Sequence, residues 1–371
     1  MHKNGITRRQ FLYTSSFAVA GSMLLTPFAQ CAPTATKKSA KKLGLALVGL
    51  GGYSSGQLAP ALQQTKDCYL AGIVTGTPSK EKVWAERYNI PPANIYNYEN
   101  FDMVADNKDI DIIYVVLPIS MHKEFTIRTA KAGKHVICEK PMALNAAECR
   151  QMIAACKEAG KMLSIGYRLH FEPHNMEIMR LGQQKVFGAV QSIDCGNGFT
   201  YRGNPNAWRL KKALAGGGGL MDMGVYTIQG ARYVTGEEPI AVTAREEKTN
   251  HQLFKEVDET VYYELQFPGG AIAKGVSSYN KNISYLKAKA EKGTFEVDPA
   301  YYYNGIKGST SNGPMQFDSN VNQQALQMDD FAQCILNNKP TRVPGEEGLK
   351  DMKVIDTIYR SIASGKKEKI V

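Results

Sequence analysis

Leu43 to Val48 is a nearly continuous apolar run, followed at once by Gly49-Leu50-Gly51-Gly52-Tyr53-Ser54. A short run that is apolar at every position is the pattern of a strand covered on both faces. The pattern then predicts a helix after the glycines, a strand over Tyr69–Thr75 and a helix from about Ser79 to Tyr88. Ile110–Leu117 is the strongest strand pattern in the chain, followed by a helix from about His122 to Ala132 and a strand over His135–Cys138. Asn145 with Glu148 three positions on predicts a capped helix to about Ala159, and Met162–Ile165 is the next strand. Strands alternating with helices imply a parallel, doubly wound α/β sheet.

Beyond about Gly166 the pattern changes. A helix from about Pro173 to Leu181 leads into Val190–Cys195, Ile240–Glu246, Thr260–Phe267 and Ala271–Ser277, all read as strands, with more between Tyr285 and Tyr303. Such clustering implies an α+β domain on a mainly antiparallel sheet. Helices near Asn322–Leu336 and Glu347–Ala363 follow. The expected organisation is a leader over 1–31, a lysine-rich arm over 32–42, a Rossmann domain over 43–166 and an α+β domain over 167–371.

Composition changes little in this picture. The chain has 371 residues, 43% hydrophobic and 22% charged, which excludes a mostly disordered chain and a multi-span membrane protein. The net charge of +10 would suggest a nucleic-acid partner, but Lys3, Arg8, Arg9, Lys37, Lys38, Lys41 and Lys42 precede the first strand. Without those seven the body carries +3, so no nucleic-acid partner is expected.

The leader has its own chemistry. Thr7-Arg8-Arg9-Gln10-Phe11-Leu12 precedes a weakly apolar stretch from Phe17 to Phe28, the pattern of an export signal rather than a lasting membrane anchor. The paired arginines favour twin-arginine export to the periplasm over an ordinary Sec signal. Ala29-Gln30-Cys31 offers a cleavage site, with lipidation of Cys31 as the lesser alternative. Six cysteines follow Cys31; no spacing indicates a disulfide or a metal site, and Cys149 and Cys156 fall at helical spacing with Met152 and Ile153, as buried apolar residues do. The arm over 34–42 is either a spacer or a strap that helps retain a cofactor.

Three stretches carry candidate chemistry. The first is the glycine turn, which leaves a buried strand and opens a helix, the context a dinucleotide site requires. Gly49 permits the tight turn, Gly51 lets backbone approach a pyrophosphate at the helix N-terminus, and Ser54 stands where a third glycine is usual. After the second strand there is no carboxylate before Glu81; Thr75 and Lys80 suit a 2′-phosphate, so NADP is favoured over NAD. The second is Cys138-Glu139-Lys140-Pro141 at the C-terminal end of a parallel strand. The third is Gly216-Gly217-Gly218-Gly219, expected to bring backbone close to a ligand and to open a helix with Asp222 and Tyr226 on one face. A tyrosine titrates near 10, too high for an efficient base, and a neighbouring ammonium such as Lys140 favours its phenolate. Asp222 would orient substrate or lysine.

Glu139-Lys140-Pro141, Gly166-Tyr167-Arg168, Trp208-Arg209-Leu210, the run from Leu214 to Gly218, Asp222 to Tyr226, Arg232-Tyr233, Gly236-Glu-Glu-Pro239, Asn338-Lys-Pro340 and Pro344-Gly-Glu-Glu-Gly348 together resemble the Gfo/Idh/MocA oxidoreductase family. The resemblance runs from about Leu43 onward. It implies a Rossmann domain plus an open-faced sheet domain, and a homo-oligomer, dimer or tetramer, formed through that sheet. It implies that Lys140 contacts cofactor and substrate, and that Thr75, Lys80, Trp208 and Arg209 hold NADP. It also places Leu50, Gly52, Tyr53, Leu117, Pro118, His122, Glu139 and Arg168 around the cofactor. Many members have a histidine where this chain has Tyr226, which points to the glucose-fructose oxidoreductase branch. Ile119 departs from an asparagine common after the proline. The expected activity is NADP-dependent oxidation of an aldose to its lactone and reduction of a second sugar in a ping-pong cycle, with Lys140, Asp222 and Tyr226 catalytic and no metal. An ordinary sugar dehydrogenase with exchangeable cofactor, or a non-catalytic sugar-binding protein, are the alternatives.

Overall fold

The computed structural model describes residues 41–371. The leader expected over 1–31, with Cys31, and the expected arm as far as residue 40 lie outside the described residues. Strands β1 (Leu43–Val48), β2 (Cys68–Val74), β3 (Ile95–Tyr96), β4 (Ile112–Val115), β5 (His135–Cys138) and β6 (Leu163–Ile165) form a sheet ordered β3-β2-β1-β4-β5-β6. Every pairing in it is parallel.

The apolar run of β1 is explained by its two covered faces. Leu45 and Leu47 pack on one side with Trp84, Met328 and Phe331; Ala46 and Val48 pack on the other with Phe101 and Phe125. Burying each large side chain contributes roughly 1.5–3 kcal/mol. Met328 and Phe331 belong to helix Gln323–Leu336, so a segment from late in the chain covers the first sheet. Helix Ala146–Glu158 is capped by the Asn145 side chain, which accepts from Glu148 N at 3.0 Å. Helix Ile119–Lys131 begins at Ile119, earlier than the apolar pattern alone indicates, and Ile119 is buried against the core.

The second sheet contains β7 (Val190–Gly198), β8 (Ala241–Glu247), β9 (Thr260–Gln266), β10 (Ile272–Ser278), β11 (Ile283–Ala290), β12 (Gly293–Val297), β13 (Gly308–Thr310), β14 (Gly313–Pro314) and β15 (Glu368–Lys369). Its order is β14-β13-β12-β11-β7-β10-β9-β8-β15, antiparallel throughout except for the parallel pair β7–β10. One face packs on helices Pro173–Gln183, Val225–Thr235 and Gly345–Ser364. The other leaves Tyr262, Lys274, Tyr285 and Lys287 half-buried or exposed, the period-two pattern of a one-sided sheet. All six described cysteines are free thiols, and Cys149 and Cys156 are buried.

A buried ionic cluster locks the helices to the first sheet. Arg232 meets Asp351 at 2.5 Å, Glu238 at 2.6 Å and Glu347 at 2.8 Å. Tyr167 OH and Gln229 Nε2 donate to the same Asp351 carboxylate at 2.6 and 2.8 Å. Five carboxylate-directed donor atoms, three of them on Arg232, offset the cost of taking Arg232 and Asp351 out of water. Tyr167 precedes Arg168, so this cluster also fixes the segment that enters the site.

Candidate active site

A cavity of about 1020 Å³ lies between the C-terminal ends of the parallel strands and the near end of the second sheet. The glycine turn forms one wall. Gly49 has φ +93°, and a Cβ there would sit 2.4 Å from the Val116 carbonyl oxygen, so no other residue fits. Ser54 is buried and donates to the Gly49 carbonyl at 2.6 Å, which closes the turn where a third glycine is usual. A Cβ on Gly51 or Gly52 would meet nothing within 4 Å; their backbone faces open cavity. Thr75 follows β2 and accepts from Thr77 N at 3.1 Å. Lys80 lies across the turn and donates to the Leu50 carbonyl at 2.7 Å. Open backbone at Gly51 and Gly52, with an ammonium beside it, fits a nucleotide pyrophosphate and an added phosphate.

The opposite wall carries Lys140, Asp222 and Tyr226. Lys140 follows β5, and its ammonium donates to the Asp222 carbonyl at 2.7 Å and to Oδ1 at 3.1 Å. It lies 4.6 Å from the centre of the Tyr226 ring. Asp222 Oδ2 accepts from Tyr279 OH at 3.0 Å and lies 3.4 Å from Arg209 Nε. Burial alone would raise the Asp222 carboxyl, but the charges of Lys140 and Arg209 and hydrogen bonds from Lys140 and Tyr279 hold it down at about 2. Burial likewise would lower the Lys140 ammonium; Tyr226, Asp222 and Glu139 around it raise it instead. Glu139 accepts from Tyr114 OH at 2.6 Å and from Lys140 N at 3.2 Å, and burial pushes its carboxyl up.

All the residues expected to act in catalysis or to hold the cofactor line this cavity, including Tyr53, Leu117, Pro118 and Trp208. Some do so with their polar groups already engaged. His122 is buried, with Nδ1 3.0 Å from the Pro141 carbonyl and Nε2 2.9 Å from the Leu117 carbonyl. It therefore staples the loop after β4 to the loop after β5. Arg209, expected beside the nucleotide, stacks on Trp208 and also reaches Asp222. Arg168 is buried between the rings of Tyr226 and Tyr303, its guanidinium carbon 5.2 and 4.5 Å from their centres.

The glycine run reaches the cavity at Gly217 and Gly218, and it has a second task that the sequence did not indicate. Its glycines also serve internal packing. A Cβ on Gly218 would sit 2.0 Å from the Asp258 carbonyl oxygen, and one on Gly217 would collide with the Tyr359 hydroxyl. Asp258 accepts from Gly218 N at 2.8 Å and Leu220 N at 2.7 Å, and from Tyr359 OH at 2.6 Å. This carboxylate caps the start of the segment that presents Asp222, consistent with the preference for negative charge at a helix N-terminus. That segment is a π-helical turn, Leu220–Gly224, that runs directly into the α-helix Val225–Thr235, and Asp222 and Tyr226, four residues apart across the junction, both line the cavity. Asp258, Tyr279 and the Tyr301–Tyr303 loop carried no local sequence signal; only the tertiary fold brings them here.

Comparison with known proteins agrees with this architecture. The family model for the oxidoreductase family with an NAD-binding Rossmann fold matches residues 43–167, and that for the family's C-terminal alpha/beta domain matches 183–370. The chain belongs to the Gfo/Idh/MocA oxidoreductase family. It is 26% identical over 326 residues to D-xylose 1-dehydrogenase [NADP(+)] of Haloarcula marismortui, covering 85% of this chain and 90% of that one. The crystal structure of aldose-aldose oxidoreductase from Caulobacter crescentus, complexed with glycerol, is 44% identical and superposes with TM-score 0.86 over 89% of this chain and 100% of that one. A levoglucosan dehydrogenase in complex with NADH and L-sorbose, 19% identical, shares the fold with TM-score 0.78 over 89% of this chain and 99% of that one.

Proposed function

We propose that this chain is an NADP-dependent sugar oxidoreductase that oxidises an aldose at its anomeric hydroxyl to the lactone and returns the two electrons to a second sugar. The observation that carries this reading is the Lys140 ammonium 4.6 Å from the Tyr226 ring, in the same cavity as the glycine turn. The names of the 44% identical aldose-aldose oxidoreductase and of the NADP-linked xylose dehydrogenase support sugar as the substrate class.

Gly49 to Gly52, Thr75, Lys80, Trp208 and Arg209 would hold NADP, which supplies the site's hydride acceptor and donor when bound. The chain's own residues handle the proton. Tyr226 takes it from the aldose hydroxyl as the adjacent C–H bond breaks. The Lys140 ammonium, 4.6 Å from the centre of the ring, faces the negative charge that develops on the phenolic oxygen in this step. Asp222 anchors Lys140 by two hydrogen bonds, and Arg209 and Tyr279 hold Asp222 in turn. After the lactone leaves, a second sugar carbonyl enters, and Tyr226 gives the proton back to the oxygen formed there. The cycle balances: two electrons and one proton pass from donor to acceptor through the site, and the second proton passes through Tyr226.

The export reading of residues 1–31 supports a cofactor that is not exchanged, since a periplasmic enzyme meets no replenishing nucleotide pool. The second reading, a dehydrogenase with exchangeable cofactor, is favoured by the name of the archaeal relative. One experiment separates them. The absorption spectrum of the purified protein is recorded without added cofactor, before and after glucose and then fructose. A reduced-nicotinamide band that rises with the first sugar and falls with the second supports the two-sugar cycle. Absence of the band, with activity only on adding NADP, leaves the ordinary dehydrogenase.

A further inference from the structure

After β12 the chain crosses the rim of the cavity as Tyr301-Tyr302-Tyr303. Tyr301 is buried, but Tyr302 is 54% exposed and Tyr303 42% exposed. Two large aromatic side chains open to solvent at a cavity rim leave apolar surface uncovered.

This exposure is not looseness of the segment. Arg168 Nη2 donates to the Tyr301 carbonyl at 2.6 Å, and Arg168 Nη1 to the Tyr302 carbonyl at 3.0 Å. Gln323 Nε2 donates to the carbonyls of Tyr302 and Tyr303, both at 3.1 Å. Arg168 and Gln323 are themselves buried, and the Gln323 amide oxygen accepts from Arg168 Nη1. Three successive carbonyls are therefore held from below by two buried side chains, and the rings are presented outward by a fixed backbone.

Tyr303 also stands near the reacting group, and Tyr302 lines the same cavity. The Arg168 guanidinium separates Tyr303 from Tyr226, and Tyr303 stacks on Tyr53 of the glycine turn with ring centres 6.1 Å apart. A ligand that covers this rim while its hydroxyl reaches Tyr226 needs an apolar face and a polar edge. A pyranose has both: its ring C–H bonds carry partial positive charge and suit the negative face of an aromatic ring, and its hydroxyls lie at the edge. We propose that Tyr302 and Tyr303 are specificity-determining residues, an aromatic wall against which the cyclic form of the sugar lies while its anomeric hydroxyl meets Tyr226. This inference rests on the sugar oxidoreductase reading above.

The test is steady-state kinetics with D-xylose and D-glucose on the wild type and two double variants. The pair Tyr302→Ala/Tyr303→Ala is expected to raise KM for both sugars about ten-fold or more, with kcat within about three-fold of wild type. The pair Tyr302→Phe/Tyr303→Phe keeps the ring faces and is expected to keep KM within about two-fold. An unchanged KM in the alanine pair overturns the wall. So does an equal rise in the phenylalanine pair, which would assign the contact to the hydroxyls. If the alanine pair does not fold, Tyr302→Ala alone, at the more exposed position, must raise KM at least about three-fold for the proposal to stand. A wild type that turns over neither sugar rejects the functional reading itself, and the wall with it.

Discussion

The Lys140 ammonium is bound to Asp222 twice, at the main-chain carbonyl (2.7 Å) and at the carboxylate (3.1 Å), and so ties the loop after β5 to the segment that leads into Tyr226. The lysine is thereby held 4.6 Å from the tyrosine ring by contacts that do not involve the tyrosine hydroxyl. Charge and proton carrier are positioned independently, so their removal should have separable effects.

Tyr226→Phe removes the proton carrier and leaves the lysine anchored. The expected outcome is a protein that still carries nucleotide and lowers turnover about 10²–10⁴-fold, the usual worth of a general acid–base group. Lys140→Met should lower turnover by a similar factor and also leave Asp222 without its main partner. Bound nucleotide measured by absorbance after denaturation, together with kcat, checks both. A Tyr226→Phe enzyme as fast as wild type would remove the assignment.

Asp222 gives a prediction in pH. Its carboxyl sits at about 2 in the folded protein, below the ordinary value near 3.9. A depressed carboxyl stabilises the folded state above the unfolded value and loses that contribution as pH falls toward the folded one. The contribution is about 2 kcal/mol for such a shift, complete above about pH 4 and lost between about pH 4 and pH 2. Asp222→Asn should therefore be less stable than wild type at neutral pH, and the gap should narrow below pH 4. Urea midpoints at pH 7, 4 and 3 measure it. A gap that stays constant over that range would show that shape, not charge, holds Lys140.

Much of this was legible in the sequence, and the remainder has a physical reason. The run Leu43–Val48 and the strand His135–Cys138 carry their own burial in their composition, and the structure reproduces both ranges. β3 and β15 have two residues each and no pattern to read. The parallel pair β7–β10 depends on register between distant segments. At the site, Gly49, Lys140 and Tyr226 were marked by motif spacing. Tyr279 and Asp258 were not, because their work depends on tertiary contacts with Asp222 and Gly218. Arg232, Glu238, Glu347 and Asp351 show a third case: Arg232, Glu238 and Glu347 lie in separate short motifs of the sequence, and the fold joins them with Asp351 in one buried cluster.

Two glycines should respond oppositely to the same substitution. At Gly218 an added Cβ would lie 2.0 Å from main-chain oxygen of Asp258, and Asp222 N donates to the Gly218 carbonyl at 3.1 Å. Gly218→Ala should cost about 1–3 kcal/mol of stability and displace Asp222, lowering activity with it. At Gly51 the added Cβ meets no atom within 4 Å. Gly51→Ala should keep its melting temperature and lose nucleotide affinity, since the methyl group occupies space that a pyrophosphate needs. Thermal melts and nucleotide occupancy on the two variants separate the outcomes. Equal loss of melting temperature in both would mean that the Gly51 turn is packed more tightly than its open geometry indicates.

Lys80 is the residue on which the choice between NADP and NAD turns. No carboxylate follows β2 before Glu81 to accept a ribose hydroxyl, and the Lys80 ammonium donates to the Leu50 carbonyl at 2.7 Å, across the glycine turn. An ammonium there can act in two ways. It can pair with a 2′-phosphate, or it can fix the turn through Leu50 whatever nucleotide is bound. Lys80→Ala removes both contacts, and the two cofactors tell them apart. A phosphate contact is a charge-assisted hydrogen bond worth about 1.5–3 kcal/mol, so its loss should weaken NADP binding about 10- to 100-fold and leave NAD nearly unchanged. A turn-fixing role should weaken both cofactors alike. Dissociation constants for NADP and NAD on wild type and Lys80→Ala decide it, and the expected result is a fall confined to NADP. Parallel losses would move Lys80 from phosphate recognition to turn support and would leave Thr75 and the missing carboxylate after β2 as the sequence arguments for NADP.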